Sequence, residues 1–185
     1  LRASESQVSD AVAGATSAAA SWATRSAGER RIVLERCAEE LERRRGDLIG
    51  AMMRDAGKSV IEADVEVSEA VDFARYYCRS LDELATDGAS PEPIGVVAVV
   101  PPWNFPLAIP AGGVLAALSV GNAVLFKPAS ATVLVGWLIA EALWAAGVPR
   151  DVLQFVPTSS DAGHVLIEDP RVGCVILTGA WETGR

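Results

Sequence analysis

The chain has 185 residues, half of them hydrophobic and 22% charged, enough apolar material for one ordinary domain with a real core and too much for a disordered tail. A formal charge of -8 argues against nucleic acid or an anionic membrane surface as a partner. No apolar run approaches the roughly 18 residues that span a bilayer, and the first ten residues do not read as a signal peptide.

Gly28 to Met53 carries Ile32, Leu34, Cys37, Leu41, Leu48 and Ile49 at roughly helical spacing, which predicts an amphipathic helix broken by Ala56-Gly57-Lys58. A second amphipathic helix follows over Val60 to Leu84, with Val67, Ala70, Val71, Ala74 and Cys78 on one side and its Glu and Arg residues on a solvated face. Ala85 to Pro93, "ATDGASPEP", has the composition of a linker. Beyond it the pattern changes to strand and helix in alternation. "IGVVAVV", "NAVLFKP", "VLQFVP" and "GCVILTG" are short, Val-rich and nearly all apolar, as strands covered on both faces of a parallel sheet are. "LAIPAGGVLAALSV", "SATVLVGWLIAEALWAAG" and "DAGHVLIEDP" supply the crossovers, with Gly147 as a C-terminal stop. The expected fold is α/β, a doubly wound parallel sheet preceded by N-terminal helices, with ligands beyond the carboxyl ends of the strands.

Those ends read "PPWNFP", "KPAS", "VPTSSDAG" and "TGAWETG". None contains GxGxxG or GxxxxGK[ST], so the common nucleotide fingerprints are absent. Singly, each residue has a plain structural reading: Trp103 as a packing residue, Asn104 as a turn former, Lys127 as a snorkelling lysine, Ser130 as a helix N-cap. The three cysteines, Cys37, Cys78 and Cys174, are odd in number and far apart, without metal-ligand spacing, and read as small core residues of a protein from a reducing cytoplasm. His164, the single histidine, reads as a helix residue.

In succession these pieces change the reading. "SEAVDFARYY", "PIGVVAVVPPWNFP", "AALSVGNAVLFKPAS", "AAGVP" and "DPRVGCVILTGAWETG" resemble, in that order, the aldehyde dehydrogenase superfamily over about Ser21 to Arg185. The resemblance implies a Rossmann-like sheet of the aldehyde dehydrogenase type that binds NAD or NADP. It divides the chain into an N-terminal helical segment with linker, 1–92, and a cofactor-binding portion, 93–185, that stops before the catalytic domain. It implies an oxyanion-hole amide at Asn104, a cofactor cleft lined by Pro101, Pro102 and Trp103, a ribose-binding lysine at Lys127, and pyrophosphate contact near Ala180 and Thr183. In the reaction so implied, a cysteine thiolate attacks an aldehyde and the oxygen becomes an alkoxide that a preplaced N–H must stabilise. The prolines around Asn104 then read as stiffeners of that donor.

Within the superfamily the chain looks most like the glutamate semialdehyde (pyrroline-5-carboxylate) dehydrogenases, particularly the form fused behind a proline dehydrogenase. That likeness implies that Phe105 and Glu69 lie near the aldehyde tunnel, with a solvated helix face as the alternative for Glu69. It also implies a homo-oligomeric full-length enzyme.

The chain departs from the family pattern in several places. Ser130 stands where a glutamate commonly holds both ribose hydroxyls, "PTSSDAG" is a residue shorter than the usual Gly-rich turn, and Ala180 followed by Trp181 replaces a serine. Cys78 to Pro91 is short for an oligomerisation arm. The family's nucleophilic cysteine and its glutamate base have no counterpart in the chain, so the expectation is a piece of a longer enzyme, inactive by itself. A non-catalytic relative that keeps the fold for assembly, and an unrelated doubly wound nucleotide binder, are the competing readings.

Overall fold

The computed structural model describes residues 2–86, 88 and 91–184, and the side chains of these other than 84–86, 182 and 183. The expected linker, Ala85 to Pro93, therefore lies partly outside the described residues. The first helix, α1 (Glu5–Ala23), precedes the earliest helix read from the sequence. Its start is a capping box in which Ser4 and Gln7 satisfy each other's backbone N–H groups. It buries Val8, Val12, Ala15, Ala19 and Trp22 at helical spacing, a stripe made faint in the sequence by the many alanines on its other faces.

The helix expected over Gly28 to Met53 is two helices, α2 (Ala27–Arg43) and α3 (Arg45–Ala56). They part at Arg44, whose backbone leaves the helical region at φ -91° and ψ 11°. Ile32 lies on the face of α2 opposite Leu34 and Leu41 and is 47% exposed, while Leu34, Cys37, Leu41 and Leu48 are in the core. Around the kink, Arg43 and Arg44 both donate to Glu40, and Arg45 bridges Glu42 and Asp64. Gly57 ends α3 in the left-handed conformation, φ 66°, which a side chain would strain. The long helix α4 (Val60–Thr86) opens on a Ser59–Glu62 capping pair and buries Val67, Ala70, Val71, Ala74 and Cys78 as expected.

Four strands follow: β1 (Val96–Val100), β2 (Ala123–Phe126), β3 (Leu153–Phe155) and β4 (Cys174–Leu177). They alternate with α5 (Ala108–Ser119), α6 (Val133–Ala145), α7 (Ser160–Glu168) and a terminal turn, α8 (Trp181–Gly184). All pairings are parallel, in the order β3-β2-β1-β4, with Val99 opposite Phe126 and Val100 opposite Leu177. The doubly wound α/β sheet read from the sequence is present, each strand within a residue or two of its expected span.

Strand alternation divides the core. Val97, Val99, Val124, Phe126 and Leu153 pack with α2 to α6, while Val96, Ala98, Ala123, Leu125 and Val156 pack with α1 and α7. The first of these cores runs across residue 92 without interruption, since α4 packs along α5 and α2 along α6. Residues 1–92 thus cover both faces of the sheet: α1 lies on one side and α2 to α4 reinforce the other. Among the described residues, no helix is long and apolar enough to cross a membrane.

Candidate functional site

Strand order sets the place. From β1 the chain winds outward through α5, β2, α6 and β3, then returns by α7 on the opposite face to put β4 on the other side of β1. The connections from β1 and β4 therefore leave in opposite directions, and a crevice opens beyond their carboxyl ends. It is a cavity of about 710 Å³, walled by the loop after β1, the turn after β2 and the turn after β4.

The β1 loop contributes Pro101 to Phe105. Pro101 and Pro106 are buried and Pro102 half-buried, so the chain leaves the strand with three fixed φ angles and no N–H groups to satisfy there. Trp103 and Asn104 between them are exposed, and both line the cavity with Phe105. At 58% exposure Trp103 is not a packing residue. The loop runs into α5, whose cap position is held by Leu107, a core residue without a capping side chain. The acceptor comes from far away in sequence: Glu66 Oε2 takes the N–H groups of Leu107 and Ala108, each at 3.1 Å. Pro110, one turn on, lacks an N–H where none could be bonded within the helix.

The turn after β2 contributes Lys127. Its backbone N–H donates to Val99 O at 3.0 Å, extending the ladder, and its side chain passes under the start of α7. A β-carbon on Gly163 would stand 3.0 Å from Lys127 Cε, so the glycine leaves the lysine side chain the room it occupies beneath the helix. Burial pulls the Lys127 ammonium below the usual lysine range, with no neighbouring charge to restore it. The side chain is half-buried and lines the cavity, so it is not a lysine of the free surface.

Ser130 lines an adjoining cavity of about 200 Å³ with Arg2, Pro128 and Thr158. Thr158 is buried and its Oγ1 has no hydrogen-bond partner. Ser130 is not a helix cap: α6 starts at Val133 with Thr132 at the cap position, and Asp55 from α3 accepts the Leu134 N–H at 3.0 Å. Ala180 lines the large cavity beside Gly179. Thr183 lies in α8, with its side chain outside the described residues.

The structure thus brings together Pro101, Pro102, Trp103, Asn104, Phe105, Lys127 and Ala180, and sets Ser130 next door. Glu69 stands apart, exposed on α4 and outside the lining of either cavity. The carboxylate that reaches the loop is Glu66, one helical turn earlier and 1% exposed. This corrects the reading of α4's acidic residues as a uniformly solvated face. Helical spacing offered a signal: Glu66 falls in register with Ala63, Val67, Ala70 and Ala74 on the buried stripe.

The three cysteines lie away from the cavity. Burial pushes the Cys37 thiol far above its ordinary value and the Cys78 thiol up to about 11, so neither forms a thiolate at neutral pH. Cys174 is on β4, and no cysteine lines the cavity.

A parallel doubly wound sheet with a cleft at its switch point, lined by an exposed amide and a half-buried lysine, is the architecture of the doubly wound α/β proteins, whose ligands bind beyond the carboxyl ends of the strands. The chain belongs to the aldehyde dehydrogenase family, whose model matches residues 1–185. It is 36% identical over 195 residues to 1-pyrroline-5-carboxylate dehydrogenase 2 of Bacillus subtilis (strain 168), covering 99% of this chain and 38% of that protein. Among solved structures, proline utilization A from Bdellovibrio bacteriovorus superposes with a TM-score of 0.93 at 33% identity, over 99% of this chain and 20% of that one. NADP-dependent glyceraldehyde-3-phosphate dehydrogenase from Bacillus halodurans C-125, complexed with NADP, superposes with a TM-score of 0.93 at 32% identity, over 99% of this chain and 42% of that one. The chain spans well under half the length of these relatives.

Proposed function

We propose that the chain is the cofactor-binding and oxyanion-donor portion of an NAD(P)-dependent dehydrogenase that oxidises an aldehyde to a carboxylic acid. L-glutamate γ-semialdehyde, in proline catabolism, is the proposed substrate, which the 1-pyrroline-5-carboxylate dehydrogenase relative supports. The observation that carries the reading is the shared cavity of Asn104 and Lys127 at the sheet's switch point.

The residues fit a dinucleotide. Lys127 is half-buried along the cavity wall with its ammonium partly desolvated, Thr158 has an orphaned hydroxyl, and Gly163 places a bare Cα beside both. Lys127 would donate to the ribose, Pro101, Pro102 and Trp103 would line the nicotinamide end, and Ala180 with Thr183 would lie along the pyrophosphate. A bound dinucleotide supplies the hydride acceptor. Asn104 would donate its side-chain N–H to the aldehyde oxygen as charge develops there, Phe105 would wall the aldehyde's path, and Glu69 would act only at that path's outer rim. The attacking thiolate is not among this chain's cysteines. The full-length enzyme is a cytoplasmic homo-oligomer in this reading, and fusion to a proline dehydrogenase is consistent with the likeness to proline utilization A.

The purified 185-residue chain is expected to turn over no aldehyde, because nothing in its cavity can form the thiohemiacetal. The full-length enzyme is expected to reduce NAD or NADP with glutamate semialdehyde. Thiol-sensitive turnover by the short chain, or no turnover by the long one, overturns the assignment.

Cofactor choice is tested at Ser130. A glutamate there would accept from both ribose hydroxyls of NAD and repel the 2′-phosphate of NADP. Serine does neither, and Arg2 shares its cavity, so use of both cofactors is expected. Ser130→Glu should raise kcat/KM for NAD and lower it for NADP. An unchanged ratio would place the choice elsewhere.

A further inference from the structure

We infer that Glu66 and Lys58 form a positioning couple that aims the Asn104 amide, an assignment that rests on the oxyanion role proposed for Asn104. No hydrogen bond holds the Asn104 side chain among the described residues, so its direction is inherited from the backbone of the loop. That backbone is fixed at one end by the ladder, where Val100 pairs with Leu177 and accepts from Thr178 N–H at 3.2 Å. At the other end it is fixed by Glu66, whose Oε2 binds the first N–H groups of α5.

Glu66 is in turn held by Lys58. The Lys58 ammonium is in ion-pair contact with Glu66 Oε1, an oxygen that accepts no well-angled hydrogen bond, and the two side chains are only 13% and 2% exposed. The same ammonium lies 4.5 Å from the centre of the Phe105 ring. One cation therefore touches the loop at the residue after Asn104 and, through Glu66, at Leu107 and Ala108. Gly57 makes this possible, because the left-handed turn at the end of α3 delivers Lys58 to the start of α4 beneath the loop.

Capping alone does not require such a device. A serine or aspartate at position 107 would satisfy the same N–H groups locally, as Ser4 and Ser26 do for α1 and α2. A buried ion pair is also a weak source of stability, since desolvation of both charges offsets most of their attraction. What the couple adds is a fixed relation between the loop and the α3–α4 junction. An oxyanion donor needs that fixity, because a displacement of about 1 Å can cost on the order of 10²-fold in rate.

The test is a double-mutant cycle in the full-length enzyme. Glu66→Gln should lower kcat about tenfold or more while KM for the aldehyde changes less than about threefold. In the Asn104→Ala background the same substitution should lower kcat little further, because the group it aims is gone. A residue that only supports the fold would lower kcat by the same factor in both backgrounds. Should Glu66→Gln fold poorly, Glu66→Gln with Lys58→Met leaves no uncompensated buried charge and is expected to show the same pattern at a melting temperature near the parent's. Equal factors in the two backgrounds, or an unchanged kcat for Glu66→Gln alone, overturn the couple while leaving Asn104 in place. An unchanged kcat for Asn104→Ala overturns the oxyanion reading and the couple with it.

Discussion

Asn104→Ala in the full-length enzyme is expected to lower kcat by about 10²-fold or more, with a much smaller change in KM. The amide projects from a loop stiffened by Pro101, Pro102 and Pro106 into a cavity floored by strand ends, so its N–H is placed before any substrate arrives. A neutral aldehyde oxygen gains little from that donor, whereas the alkoxide of the tetrahedral intermediate gains on the order of 3 kcal/mol. The loss should therefore appear in the chemical step. Single-turnover measurement of reduced cofactor isolates it, and a burst rate equal to the parent's would return Asn104 to the status of a turn residue.

Trp22→Ala is expected to destabilise the protein by about 3–5 kcal/mol. Trp22 is 1% exposed at the end of α1, and its indole N–H donates to Leu118 O at 3.0 Å. Beside it, buried Arg30 donates to Ser119 O at 2.8 Å, so the two side chains add to the turn hydrogen bonds of Gly121 and Asn122 in taking up the last carbonyls of α5. Truncation opens a cavity and removes one donor from Leu118 O, which keeps the Gly121 N–H at 3.1 Å. Trp22→Phe keeps most of the volume but not the donor, and should cost about 1–3 kcal/mol. Denaturant titration of both variants checks the pair, and a loss below about 1 kcal/mol for Trp22→Ala would mean that α1 is not anchored through this residue.

The sheet was legible because its strands are covered on both faces. Apolar runs such as "VVAVV" and "AVLF" have one physical explanation when helical stretches alternate with them, and their order fixed the ends at which Asn104 and Lys127 appear. The break between α2 and α3 was hidden, because an arginine at a cap position carries no capping signal of its own. Helix α1 was hidden for a related reason: Ala and Ser bury little area each, and the sheet face that makes their burial worthwhile lies some seventy residues on.

Glu66 shows the same limit at the site. Local sequence makes it an acidic residue on a helix rich in charge, and Glu69 an equal candidate three residues later. Which one is buried depends on the angle at which α4 meets α5, and that angle comes from packing between segments some forty residues apart. Ser130 was ambiguous for the converse reason, since capping depends on whether the helix begins at the next residue or three residues on, and Asp55 from α3 takes part in that choice. By itself the sequence determined the alternation of strands and helices and the strand-end residues available for chemistry, because these depend on periodicity and on neighbours in the chain. The tertiary structure alone decided that Lys127 is half-buried against α7, that Glu66 caps α5 and that Lys58 reaches Phe105, because burial and pairing of charge depend on what distant segments bring alongside.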